Sequence, residues 1–84
     1  MFYAILPESP PVFAVQPNEP LDAQSAAALI ERLERHFMHA IAIVAWDQAG
    51  QFKSYGYPVS EEAATSEDLQ WREFELPPEE EVPF

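Results

Sequence analysis

The spacing of apolar positions changes several times along this chain, and each change marks an element. Phe2-Tyr3-Ala4-Ile5-Leu6 is a short apolar run with two aromatic rings and reads as a strand. Pro7, Pro10 and Pro11 end it, because proline has no N–H to give to a ladder. Val12-Phe13-Ala14-Val15 reads as a second strand, and a hairpin is the simplest link between the two. After Pro17-Asn18-Glu19-Pro20 the period lengthens to that of a helix. Ala26, Leu29, Ile30, Leu33 and Phe37 fall on one stripe, with Glu31, Arg32, Glu34 and Arg35 off it. Asn18 or Asp22 serves as the N-cap. Glu31 and Arg35 stand four apart in the favourable order.

Ala40–Trp46 is apolar at every position, the pattern of a central strand or of one covered on both faces. Asp47-Gln48-Ala49-Gly50 is a turn in which Gly50 is free to take positive φ, and residues 51–57 return as the second arm of a hairpin. Pro58 ends that arm. Ser60-Glu61-Glu62-Ala63-Ala64 can open a short helix, since acids suit a helix N-terminus. Residues 69–76 read as an edge strand, with helix as the alternative. As a strand they place Trp71, Glu73 and Glu75 on one face and Arg72, Phe74 and Leu76 on the other, and edge charge discourages further pairing. The expected fold is therefore α+β: an antiparallel-rich sheet of about five strands in β-β-α-β-β-β order, with one main helix packed on one face. Residues 1–76 form a single domain, and residues 77–84 an acidic, Pro-rich tail expected to be mobile.

Composition narrows the function. A chain of 84 residues is one domain with a thin core. At 48% hydrophobic and 13% aromatic it is too apolar to be disordered. Fifteen acids face four Lys and Arg residues, a net charge of −11. Nine of those acids lie in residues 60–84, with Arg72 the only base there. Such a field repels nucleic acid and anionic lipid and attracts basic protein surfaces, so neither direct nucleic-acid binding nor membrane binding is expected. The absence of cysteine excludes disulfides and thiolate chemistry and suits a reducing compartment. Met1 runs into apolar residues with no basic flank, unlike a signal peptide, and the longest apolar run is too short to span a bilayer. These features together point to the cytoplasm.

Catalytic candidates are weak. His36 and His39 stand three apart near a helix end, but no further ligand completes a metal set, and partly exposed imidazoles at a helix terminus account for them. The pairs Glu61/Glu62, Glu67/Asp68 and Glu73/Glu75 lack any sign of the burial that acid–base catalysis needs. No phosphate-cradling Gly-rich loop and no serine elbow is present. The expectation is a non-enzyme without catalytic residue, cofactor or metal.

The acidic final third calls for a binding reading beside that of simple solubility. Glu73 and Glu75 on one side of a strand stand about 6.7 Å apart, a spacing that can imitate a row of phosphates. Trp71, Tyr55 and Tyr57 supply aromatic anchors if they share the outer side of the sheet, and packing of these rings against the second irregular segment or the tail is the competing account. The expected partner-binding set is Glu67, Asp68, Trp71, Glu73, Glu75, Tyr55 and Tyr57. The end of the tail, Val82-Pro83-Phe84, is either a docking motif or a frayed terminus.

The opening strand Phe2–Leu6, the helix at residues 22–37 and the hairpin at 41–57, on a short cysteine-free chain, resemble the element pattern of small anti-CRISPR proteins of phages and mobile elements. The resemblance covers most of the chain as an order of elements. It shares no motif, so it transfers no functional position. It implies an acidic inhibitor that competes with nucleic acid for a basic channel, in keeping with the net charge. The expected function is thus a non-enzymatic acidic binding protein, an inhibitor that occupies the basic nucleic-acid-binding surface of a target protein. The alternative is an accessory or antitoxin-like subunit of a larger assembly, binding through apolar surface, with edge-strand homodimerisation as one form.

Overall fold

A computed structural model describes residues 1–77. Its elements run β1 (Phe2–Leu6), β2 (Val12–Gln16), α1 (Ala23–Phe37), β3 (Ala40–Trp46), β4 (Phe52–Gly56), α2 (Glu61–Ala64) and β5 (Arg72–Glu73). The five strands form one sheet in the order β4-β3-β2-β1-β5. The fold is α+β with one main helix, as the hydrophobic pattern implies. The sheet is mixed: β1 pairs antiparallel with β2 and β5, and β3 with β4, but β2 and β3 run parallel. The parallel pair follows from α1, which carries the chain back across the sheet before β3 begins.

Local chemistry sets both ends of α1. The Asp22 carboxylate accepts from the Ser25 backbone N–H at 2.7 Å and so satisfies a first-turn donor. At the other end Met38 takes a left-handed conformation, φ 59°, and its N–H donates to the Glu34 carbonyl at 2.8 Å. Between these points Ala26 and Leu33 are fully buried, and Leu29, Ile30 and Phe37 pack beside them.

The two faces of the sheet are built from residues of different size. Tyr3, Val15, Ile43 and Tyr55 are register partners across four strands and pack, with Phe13 and Ile41, beneath α1. The neighbouring row is Ala4, Ala14, Ala42 and Gly56. Over that small-residue row lies the segment after β4, which brings Val59, Leu69 and Trp71 against Leu6, Val12, Ala14 and Ala42. Both faces of β3 are therefore covered, which explains why Ala40–Trp46 alternates so little.

Residues 69–76 form a strand only at Arg72–Glu73, on the outer edge of β1. Alternation persists beyond the paired residues: Trp71 packs on the small-residue face, and Phe74 and Leu76 on the helix face. Of the tail, only Pro77 lies within the described residues, and its carbonyl accepts from Arg32 Nη2 at 2.8 Å. No described helix is long and apolar enough to cross a membrane.

Candidate functional site

Charge divides between the two coverings. On α1, Glu31 and Glu34 are offset by Arg32 and Arg35. Residues 57–71, which cover the opposite face, carry Glu61, Glu62, Glu67 and Asp68 and no Lys, Arg or His. All four acids are exposed. Local structure turns them outward. Ser60 caps α2 by accepting from the Ala63 N–H at 3.1 Å, and Ala64 is buried, leaving Glu61 and Glu62 on the outer turn. The Ser66 hydroxyl accepts from the Asp68 N–H at 3.2 Å and holds the next turn, with Leu69 directed inward and Glu67 and Asp68 outward.

Glu73 extends this layer. It stands opposite Phe2 in the ladder, on the face that carries Ala4 and Leu6. Glu75 is exposed but lies beyond the end of β5, so no continuous strand fixes its spacing to Glu73. Trp71 is half-buried in the same layer.

The two tyrosines are not brought together with Trp71. Tyr55 lies on the helix face, with its hydroxyl donating to the Leu21 carbonyl at 3.3 Å. Its register with Ile43 decides this, since strand side chains alternate between faces. Tyr57 is 40% exposed just past the end of β4.

The rings the sequence reading passed over are Trp46 and Phe52. They pair across the β3–β4 hairpin, their centroids 5.4 Å apart, and the indole N–H lies 3.5 Å from Glu61 Oε1. Trp46 therefore sits at the margin of the acidic layer. Its place as the last residue before a turn was the signal that it would be half-open.

A hollow of about 510 Å³ separates the end of β1 from the covering segment, with Ile5, Leu6, Val59 and Leu69 as apolar walls and Glu8 and Asp68 beside them. Ile5 is 54% exposed there, because β5 stops pairing at Tyr3. The histidines stand apart from the acidic layer. His36 stacks near Phe74, while His39 has Nδ1 2.7 Å from the Phe37 carbonyl and its ring beside Phe13. Among the described residues no three His, Cys, Asp or Glu side chains are grouped to hold a metal. The Asp22 carboxyl is held below its ordinary range by the Ser25 backbone N–H and then by the Ser25 hydroxyl. No family model, curated protein or solved structure matches this chain.

Proposed function

We propose that the protein acts without catalysis, by laying its acidic layer on a basic surface of another protein, of the kind that otherwise holds nucleic acid. One observation carries this reading: the segment over the small-residue face carries Glu61, Glu62, Glu67 and Asp68 outward with no base within residues 57–71, and Glu73 follows on the same face, with Arg72 beside Asp68 at the margin. A face of one sign steers association with the opposite sign and excludes nucleic acid itself. The packing beneath it, Val59, Leu69 and Trp71 against the sheet, holds the carboxylates on an ordered support. Inhibition follows if the surface so occupied is the target's nucleic-acid channel.

The test is capture of binding proteins at about 0.1 M salt followed by elution at about 1 M, where screening shortens the reach of charge from about 10 Å to about 3 Å. The same capture is run with Glu67→Lys and Asp68→Lys combined. Release by salt, loss in the double variant and competition by a short nucleic-acid duplex are expected. Capture that ignores both salt and charge reversal overturns the reading.

A second reading, association through the sheet, draws on the β4 edge. Asp47 N–H bonds to the Gln51 carbonyl and Tyr57 N–H to that of Ile41, so alternation turns the backbone groups of Phe52, Ser54 and Gly56 away from β3. The outer side of β4 has no strand beside it among the described residues. Association by that edge would be insensitive to salt, which separates it from the first reading.

A further inference from the structure

We propose that the hollow beside Trp46 receives an arginine side chain of the protein bound by the acidic layer, an inference that rests on the function proposed above. Trp46 ends β3 on the face that carries Ala42 and Val44, the face under the acidic covering. Its ring is 37% exposed, a large apolar surface that folding leaves partly unused. Beside it lies a hollow of about 320 Å³, walled by Gln16, Pro17, Asn18, Glu19 and Pro20. That volume accommodates a long side chain such as arginine.

The chemistry of the walls selects the occupant. Phe52 packs against the indole and holds its orientation, so a partner meets a ring that loses little freedom on binding. Glu61 stands at the indole N–H edge, and at 3.5 Å that contact is long, leaving the carboxylate able to accept shorter bonds from a stronger donor. Glu19 is the carboxylate of the wall itself, Glu61 lies outside it at the indole edge, and no Lys, Arg or His lines the hollow. A guanidinium satisfies all of these together. Its plane stacks on the indole, its in-plane N–H groups reach a carboxylate at the ring edge, and its methylenes run along the proline walls. A lysine ammonium gains the charge attraction but lacks the flat face, so this hollow separates the two cations where the rest of the acidic layer does not.

Hexa-arginine and hexalysine peptides of equal charge test this at low salt. Trp71→Phe leaves Trp46 as the only indole, and its emission reports occupation of the hollow. The arginine peptide is expected to bind about two- to fivefold tighter and to change Trp46 emission, while the lysine peptide binds without that change. Trp46→Leu removes the ring face but keeps an apolar strand residue, and is expected to erase the preference while leaving lysine-peptide affinity intact. Should that variant unfold, Glu61→Gln with the emission readout decides the matter by losing the arginine preference. Equal affinity for both peptides, with silent Trp46 emission, overturns the arginine site and leaves the acidic-layer reading standing. Failure of both peptides to bind overturns both readings.

Discussion

The two coverings of the sheet differ in nearly every property. On one face a regular helix of fifteen residues, capped at both ends, lies over large side chains. On the other, one turn of helix and a succession of tight turns lie over Ala14 and Ala42, flanked by Leu6 and Val12. The helix makes its own hydrogen bonds and needs only an apolar stripe to dock. The irregular segment has few bonds of its own, so it must approach closely, and small sheet residues allow that approach. A helix over large residues and a loop over a face that includes Ala14 and Ala42 are thus two solutions to burying the same sheet. Only the second carries acids on its outer surface with no base among them.

The largest effect should come from the helix side. Leu33→Ala removes a fully buried side chain at the centre of the helix–sheet contact and is expected to cost about 2–5 kcal/mol in denaturant unfolding. Gly56→Ala comes next. Gly56 has φ +84°, and a Cβ there would stand 2.6 Å from the Ile41 carbonyl oxygen and 3.0 Å from Ile30 Cδ1, so a loss of about 2–4 kcal/mol is expected. Gly50, with similar φ but open space around it, should lose only about 1–2 kcal/mol on the same change. Equal losses at the two glycines would show that close packing at Gly56 is unimportant.

Ala42→Leu addresses the other face. It overfills the small-residue row at a cost of about 1–3 kcal/mol, and hydrogen exchange should accelerate in residues 59–71 well before it does in α1. Uniform acceleration would mean that the two coverings are not separable in stability. Met38→Gly should stabilise the protein by about 1 kcal/mol, since Met38 is exposed and holds a left-handed backbone that suits glycine. The smallest effect is at the start of α1. Asp22 has its carboxyl held below the ordinary value, so its contribution is complete above the unfolded-state pKa and is lost as pH falls through the lower folded value. Asp22→Asn should keep most of the cap and remove this pH dependence, whereas Asp22→Ala should lose the cap at all pH values. Acid titration of thermal midpoints distinguishes them.

Much of the fold was legible in one dimension because local rules suffice there. Prolines marked the strand ends, the stripe from Ala26 to Phe37 marked the helix, and Asp47-Gln48-Ala49-Gly50 marked the turn, with Gly50 at φ +79°. The candidate site was less legible. Tyr55 and Trp71 looked equivalent as aromatic residues near acids, yet the register of β4 on β3 sends Tyr55 under the helix, and the covering segment takes Trp71 to the other face. Trp46 and Phe52 went unnoticed because their value lies in meeting each other by the hairpin register and in meeting Glu61 of α2, a separate element.

Periodicity, prolines and charge along the chain therefore determined the elements, their order and the presence of an acidic third. Tertiary structure alone decided that β2 and β3 are parallel neighbours and that a row of small residues crosses four strands. It alone decided that the acids of residues 60–68 share one outward layer. The physical reason is that spacing along a chain sets which way a side chain points within its own element, whereas strand adjacency and register set which elements face each other. Those are chosen by which pairing buries the most apolar surface, a quantity that exists only once the whole sheet has formed.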